Sequence, residues 1–203
     1  MINRPNDSFA LGQRKVVSEL LGDAFSQDPL MTYVFPDPIT RIKLLRKLFL
    51  PTVRCSHRYG GVEVTSGGEG ALTWLSGEYF PLRLPELVWS GMILTPLDIG
   101  LAAFKRLQGH ETYCEHEIKQ LSPDGFAYIW SLGVSPKSTG KGFGGHLMQT
   151  ALTAMRSRGH SACLLKTESQ RNVSLYEHFG FKKIHANIVP ESGLRYWVLR
   201  KEL

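Results

Sequence analysis

Hydrophobic side chains recur along the sequence with helical spacing in some segments and with strand spacing in others. Near the start, Val16, Val17, Leu20 and Leu21 lie at positions i, i+1, i+4 and i+5, which predicts an amphipathic helix. A second helix, with leucines on one side and arginines and lysines around them, is predicted for residues 39–55. The first quarter of the chain is therefore expected to be mainly helical.

Strand-like segments begin after this helical part. The short apolar segments 61–66 and 71–76 flank the glycine-rich turn 67–70 and predict a β-hairpin. Residues 81–120 are predicted to be mainly helical, and residues 126–134 to form a strand. The elements expected next are a helix to about residue 158, a strand over 162–167, a short helix from residue 172, and strands over 181–189 and 194–200.

This order of elements predicts the fold class. A run of helices and strands without repeats or a linker favours one domain over residues 1–203. We expect an α/β (α+β) architecture, in which helices cover both faces of a mixed, largely antiparallel sheet. Residues 1–11 form at best a weak strand of that sheet.

The segment 126–146 is the most informative part of the sequence. An apolar strand ends before Pro136, four glycines follow between Gly140 and Gly145, and an amphipathic helix begins there. Glycines let the backbone approach a ligand closely, and the unpaired N–H groups at a helix start attract anions. The segment therefore predicts a site for a ligand that carries phosphate.

Two common phosphate loops fit this segment poorly. A P-loop requires Ser or Thr after Gly-Lys, but Gly142 follows Gly140-Lys141 here. The dinucleotide fingerprint Gly-x-Gly-x-x-Gly is present at Gly140, Gly142 and Gly145, with Glu168 about 20 residues further on. Only residues 146–203 follow it, which is too short for a doubly wound nucleotide domain. A nucleotide-binding oxidoreductase therefore stays as an alternative.

A third loop matches better, and a second motif accompanies it. The stretch from Val134 to Gly144 resembles the acetyl-CoA pyrophosphate loop of the GNAT superfamily of N-acetyltransferases. Downstream, Arg171-Asn172 followed by Leu175-Tyr176-Glu177 and Gly180-Phe181 resembles a later motif of the same superfamily. Ala24-Phe25 with Pro29, Trp74 with Glu78, and Trp197 before a basic C-terminus resemble the branch of this superfamily that contains puromycin N-acetyltransferase.

The resemblance implies an enzyme that moves an acetyl group from acetyl-CoA to the amine of a small molecule by direct attack. It places the acetyl-CoA-binding half at about 120–203 and the acceptor pocket at about 1–119. A bulge at Gly133 would splay two strands and leave an edge for the pantetheine arm. The implied cofactor-binding residues are Leu132, Gly133, Val134, Thr139, Gly140, Lys141, Gly142, Phe143, Gly144, Gly145 and Asn172. The superfamily usually has Gln or Arg where this chain has Thr139.

Catalytic residues are also implied by the resemblance. Tyr176 corresponds to the general acid that protonates the departing thiolate. Trp74 and Glu78 match the puromycin-acetylating branch, so Glu78 is the leading candidate for the general base. That branch has a glutamate where this chain has Lys166, and the nearest acid is Glu168. This difference predicts an acceptor other than puromycin.

Composition narrows the class of protein further. The chain has a net charge of +6, which suits an anionic ligand, but no aromatic-basic motif predicts binding of nucleic acid. No apolar stretch approaches the roughly 18 residues that span a bilayer, so no membrane association is expected. Cys55, Cys114 and Cys163 are widely spaced and predict neither a metal site nor disulfides. We expect a cytoplasmic protein without a metal; a homodimer and a non-catalytic acyl-CoA-binding module both stay open.

Overall fold

The computed structural model describes residues 11–203, and eight helices and six strands lie in this part of the chain. The helices are α1 (Leu11–Ala24), α2 (Pro29–Val34), α3 (Pro38–Tyr59), α4 (Leu84–Ser90), α5 (Thr95–Ile99), α6 (Leu101–Leu121), α7 (Phe143–Ser157) and α8 (Gln170–His178). The strands are β1 (Gly60–Val64), β2 (Gly70–Ser76), β3 (Phe126–Val134), β4 (Ala162–Thr167), β5 (Lys182–Ile188) and β6 (Arg195–Glu202). The weak strand considered for residues 1–11 lies outside the described residues, except for Leu11, where α1 begins.

The six strands form one sheet in the order β1-β2-β3-β4-β6-β5. Only β3 and β4 pair in parallel, and the other neighbours are antiparallel. The predicted mixed, largely antiparallel sheet is therefore confirmed. A doubly wound nucleotide domain needs a succession of parallel strands, so this topology gives the dinucleotide alternative no support.

Helices cover both faces of the sheet, as predicted. On one face, α7 buries an apolar stripe against β2, β3 and β4, and α8 packs beside it. The residues of the α7 stripe are Leu147, Met148, Ala151, Leu152 and Met155. On the other face, α1 and α3 enclose one cluster, while α6 packs Cys114 and Ile118 against β3, β4 and β6. None of the helices in the described part of the chain is both long and apolar enough to cross a membrane.

The predicted helical region 81–120 is divided into three helices for local reasons. A proline stands in the first turn of α4 and of α5, where its missing N–H costs nothing. Gly91 ends α4 and Gly100 ends α5, with φ angles of 81° and 88°. Positive φ angles favour glycine, and both residues end their helices; Gly91 does so in the left-handed αL conformation.

Strands β3 and β4 separate partway along their length. They pair from Phe126 and Ala162 only as far as Ile129 and Leu165, although β3 continues to Val134. Residues 131–134 of β3 therefore pair with β2 on one side, and no strand of the described chain pairs with them on the other. This leaves an open backbone edge inside the sheet.

The bulge beside this gap lies at a different residue from the one predicted. Ile129 pairs with Trp74 and Ser131 with Thr73, so the extra residue is Trp130 and not Gly133. Gly133 instead allows helix α1 to pack closely against β3. A Cβ atom at Gly133 would lie 2.9 Å from the Cβ of Ala24, so no larger residue fits without a shift of the helix.

Candidate active site

A cavity of about 500 Å³ opens where β3 and β4 separate. One part of its wall is apolar and comes mainly from α2, α3, the α4–α5 region and α6; it includes Leu30, Met31, Leu48, Phe49, Leu87, Met92 and Leu107. The rest is polar and charged, and includes Asp28, Glu111, Glu115, Lys166, Glu168, Asn172 and Tyr176. The cavity thus joins a hydrophobic compartment to a cluster of polar and charged groups, mostly carboxylates.

Asp28 is placed in this cavity by the start of α2. It is the N-cap residue, and its Oδ1 accepts hydrogen bonds from the N–H groups of Leu30 (3.0 Å) and Met31 (3.2 Å). No described residue donates to Oδ2. Burial, together with the nearby Glu168 carboxylate, raises the pKa of Asp28 to about 7. Asp28 can therefore accept a proton near neutral pH.

A buried ion network lies next to Asp28. The Nζ of Lys166 donates to Oε1 of Glu111 at 2.9 Å and lies 2.7 Å from Oε1 of Glu168. The Nε2 of His110 lies 3.0 Å from the same Glu168 oxygen, and its Nδ1 lies 2.9 Å from Oγ of Ser192. One oxygen of Glu168, just after the end of β4, therefore contacts both the Lys166 ammonium and the His110 ring.

These contacts keep the network charged. Burial alone would raise the pKa of Glu168, but the Lys166 ammonium and the His110 hydrogen bond lower it to about 2. Burial likewise opposes the charge of Lys166, yet Glu111 and Glu168 raise its pKa well above the ordinary value. Because Glu168 is ionised, the Nε2 of His110 carries the proton that it shares with that carboxylate.

Tyr176 reaches the cavity from α8. Its side chain is buried against Phe181, and its hydroxyl forms no hydrogen bond with the described residues. Burial and the carboxylates of Asp28 and Glu168 raise the pKa of Tyr176 above its ordinary value. The hydroxyl therefore stays protonated at neutral pH and can act as a donor. Asn172, one turn earlier, lies 3.5 Å from Oγ1 of Thr167.

The predicted phosphate loop follows the open edge of β3. Gly140 and Gly142 have φ angles of 80° and 84°, which only glycine adopts without strain. Ser138 and His146 donate their N–H groups to backbone carbonyls, but no acceptor among the described residues takes the N–H groups of residues 139–145. The loop therefore presents a row of free donors at the start of α7, as an anion site requires.

Glu78 lies outside the cavity. It is exposed in the 3₁₀ turn that follows β2, and among the described residues its carboxylate accepts a hydrogen bond from Oγ of Ser76 alone, at 3.4 Å. Trp74 is fully buried on the α7 face, where the Arg158 guanidinium covers its ring. The structure thus brings Tyr176, Asn172 and Leu132 together at the cavity and leaves Glu78 apart from them.

The structure also gathers three ligand-type side chains. Ligand atoms of His110, Cys114 and Glu168 lie within 4.8 Å of one another. Burial raises the pKa of the Cys114 thiol to about 12, and the Lys166 ammonium is bound to Glu168. A protonated thiol and an adjacent positive charge do not suit a divalent cation.

Sequence reasoning named Glu168 but missed the other acidic residues of the cavity, Asp28, Glu111 and Glu115. Asp28 precedes Pro29, which signals the start of a helix and nothing more. Glu111 and Glu115 lie one turn apart on α6, with Gln108 and Thr112 on the same side. Such a polar stripe is typical of a solvated helix face, so only the fold shows that it lines a cavity.

Breaking the buried ion network should cost stability. Lys166→Met leaves the buried carboxylate of Glu168 without its main counter-charge, so the free energy of unfolding should fall by about 3–5 kcal/mol at pH 7. Because the pKa of Glu168 is lowered from 4.5 to about 2, the stability due to its ionised form is present above pH 4.5. That stability is lost as the pH falls from about 4.5 to 2, and the loss should be smaller in the variant.

Urea unfolding measures both effects. The control is Arg46→Met, which breaks an ion pair of similar length with Asp23 (2.9 Å), with both side chains about two-fifths exposed. An exposed pair contributes about 0–1 kcal/mol. Equal losses in the two variants would contradict the importance of the buried network.

Comparison with known proteins finds similarity to acetyltransferases. Residues 94–181 match the model of the acetyltransferase (GNAT) family. An agmatine N-acetyltransferase structure is similar with a TM-score of 0.60 and 17% identity, over 96% of both chains. The C-terminal condensation domain of Ebony in complex with β-alanyl-dopamine is similar with a TM-score of 0.62 and 13% identity, over 96% of both chains. At these identities the likeness shows the fold.

A shorter match has higher identity. An acetyltransferase from Agrobacterium tumefaciens is 28% identical, with a TM-score of 0.37, over 39% of this chain and 58% of its own. The match of residues 94–181 to the acetyltransferase model supports acyl transfer as the class of reaction. The chain has the GNAT fold, and residues 94–181 are similar to the GNAT acetyltransferase family.

Proposed function

We propose that this protein is an acetyl-CoA-dependent N-acetyltransferase that acts on the amine of a small molecule. The observation that carries the proposal is the position of one cavity. It holds a carboxylate with a pKa of about 7 and a protonated tyrosine beside the open edge of β3. A row of free N–H groups follows at the end of that strand.

The cofactor would lie along this edge and its extension. The pantetheine arm would add to β3 beside Leu132 and Val134, as a peptide adds to a free strand edge. The pyrophosphate would accept hydrogen bonds from the N–H groups of residues 139–145, with Lys141 nearby in the same exposed loop. A backbone N–H near Val134 would face the thioester oxygen and stabilise the developing oxyanion. This geometry needs no long side chain at Thr139.

Asp28 is the general base of this proposal. An acceptor ammonium beside Asp28 and Glu168 gives one proton to Asp28, and the neutral nitrogen then attacks the thioester carbon. A base with a pKa near 7 combines a large ionised fraction with adequate basicity at neutral pH. Asp28 is preferred to Glu78 because Asp28 lines the cavity that holds Tyr176, while Glu78 is exposed outside it.

Tyr176 is the general acid. As the new C–N bond forms and the C–S bond breaks, the sulfur takes the electron pair and then the hydroxyl proton of Tyr176. The product amide loses its extra proton to solvent, and the tyrosinate regains one from solvent or from protonated Asp28. An ordinary thiol has a pKa of about 8.5, so a tyrosine can donate only as charge develops on sulfur.

A small amine acceptor is supported by the size and the charge of the cavity. A volume of about 500 Å³ suits a small molecule. One full-length structural relative is an agmatine N-acetyltransferase, which is named for a small amine. A non-catalytic acyl-CoA-binding module would not need a base and an acid that line the same cavity.

Removal of either proton-transfer group should slow turnover. Asp28→Asn and Tyr176→Phe should each lower kcat at least tenfold, because positioned acid–base groups contribute about 10²–10⁴-fold. The Kd of acetyl-CoA should change little, since neither variant alters the phosphate loop. The wild-type kcat/KM should rise with pH through about 7 as Asp28 loses its proton, and Asp28→Asn should lose this dependence.

Release of CoA thiol, followed with a small primary amine as acceptor, measures this prediction. Glu78→Gln is the control and should keep wild-type turnover, because Glu78 lies outside the cavity. A large loss in Glu78→Gln with none in Asp28→Asn would reverse the assignment of the base. Unchanged turnover in Tyr176→Phe would remove Tyr176 from its role.

Two glycines at opposite ends of α7 give a matched test of the phosphate loop. Gly142 and Gly159 have φ angles of 84° and 82°, and an added Cβ would meet no atom within 4 Å at either place. Alanine should cost about 1–2 kcal/mol of stability at both. Only Gly142→Ala should weaken acetyl-CoA binding, by about tenfold in titration calorimetry, because only Gly142 lies in the N–H cradle. Equal affinities in the two variants would rule out the loop as the phosphate site.

A further inference from the structure

The cavity is acidic, although the chain is basic overall. Four carboxylates line it, those of Asp28, Glu111, Glu115 and Glu168, against the single ammonium of Lys166. The whole sequence carries a net charge of +6. The negative charge is therefore a local property of the cavity, and it suits a cationic ligand.

Glu115 differs from the other three carboxylates because it has no partner. Asp28 accepts two backbone hydrogen bonds, and Glu111 and Glu168 share the ammonium of Lys166. Among the described residues, no donor and no positively charged group contacts the half-buried side chain of Glu115. An unpaired carboxylate in a cavity loses hydration without compensation, so a ligand cation there would be favourable.

Glu115 and Asp28 reach the cavity from different elements. Asp28 is the N-cap residue of α2, whereas Glu115 lies on α6, one turn after Glu111. Lys166 links the two acidic positions, because its ammonium contacts both Glu111 of α6 and Glu168, the carboxylate near Asp28. Burial and the Glu111 carboxylate raise the pKa of Glu115 to about 7, as expected where a counter-charge is missing.

The middle of the cavity can hold the body of such a ligand. Lys166 does not repel a second cation strongly, because two carboxylates neutralise it. Apolar side chains, among them Met31 and Leu107, line the same space and can cover a methylene chain. An extended ligand with a positive charge at each end and an apolar middle therefore complements the carboxylates and the apolar side chains of the cavity.

We propose that Glu115 is a specificity-determining residue that binds the distal positive charge of a dibasic acceptor, a diamine or a guanidinoalkylamine. The other amine of that acceptor lies beside Asp28 and is acetylated. This inference rests on the proposed acetyltransferase function, and it adds the chemical class of the acceptor and the residue that selects it.

The proposal is tested by comparing acceptor amines that carry a second positive charge with acceptors of the same length that lack it. Diamines with three to six methylenes, and agmatine, are compared at pH 8 with monoamines of equal chain length by release of CoA thiol. Loss of a hydrogen bond to a charged group costs enough free energy to change kcat/KM by about 10- to 100-fold. The wild type should therefore prefer the best dibasic acceptor to its monoamine by at least about tenfold.

Glu115→Gln should remove most of this preference. The KM for the dibasic acceptor should rise about tenfold or more, while kcat/KM for the monoamine stays within about twofold. The matched control is Glu117→Gln, on the same helix but outside the cavity, beside His185 at 3.5 Å. It should keep the wild-type preference.

Three outcomes would overturn the proposal. A wild type that acetylates monoamines as well as dibasic acceptors would contradict it and leave the acetyltransferase function intact. An equal effect of Glu115→Gln on both acceptor classes would show that Glu115 does not read the second charge. No acetylation of any amine in the panel would overturn both this inference and the proposed function.

Discussion

The separation of β3 from β4 is the constraint on which the rest of the site depends. The two strands are parallel neighbours up to Ile129 and Leu165, and then the bulge at Trp130 turns β3 away. An unpaired strand edge inside a sheet needs a partner, because backbone N–H and C=O groups are costly to leave unsatisfied. The same separation opens the cavity and places the buried side chains of Lys166 and Glu168, at the end of β4, in the wall of that cavity. One local departure from regular pairing thus supplies both an unpaired strand edge and a cavity, the two features on which the proposed function rests.

The charges around this gap shift the pKa values of its carboxylates in opposite directions. Glu168 is fixed in its ionised form by Lys166 and His110, so it cannot serve as a base near neutral pH. Burial and the negative charge of Glu168 raise the pKa of Asp28 to about 7, which suits the proposed role of Asp28 as proton acceptor. Burial and Glu111 have the corresponding effect on Glu115. The buried ammonium of Lys166 contacts both Glu111 and Glu168 and holds these acidic groups together.

Local patterns predicted the parts of the site that a short stretch of sequence encodes. The glycine loop, the α7 stripe and the position of Tyr176 depend on residues close in the chain, and the fold class followed from the order of elements. Asp28 and Glu115 were missed because only tertiary packing brings α2 and α6 to the same cavity. A glycine inside a strand, such as Gly133, can indicate either a bulge or the close packing of a neighbouring element, and the sequence alone does not distinguish the two. In the structure, Gly133 lies against Ala24 of α1, which shows that close packing is the reason. The likeness to one branch predicts Glu78 as the base, but the turn after β2 leaves this residue exposed to solvent.

The most direct test of the central idea is amide hydrogen exchange with acetyl-CoA added. The pantetheine arm should pair with the open edge of β3, and the pyrophosphate should accept from the loop that follows. Exchange should therefore slow in peptides that cover 130–134 and 139–145, and NADH at the same concentration should leave them unchanged. Protection by NADH, or acetyl-CoA binding without any change at 130–134, would contradict the account of the gap as the cofactor site.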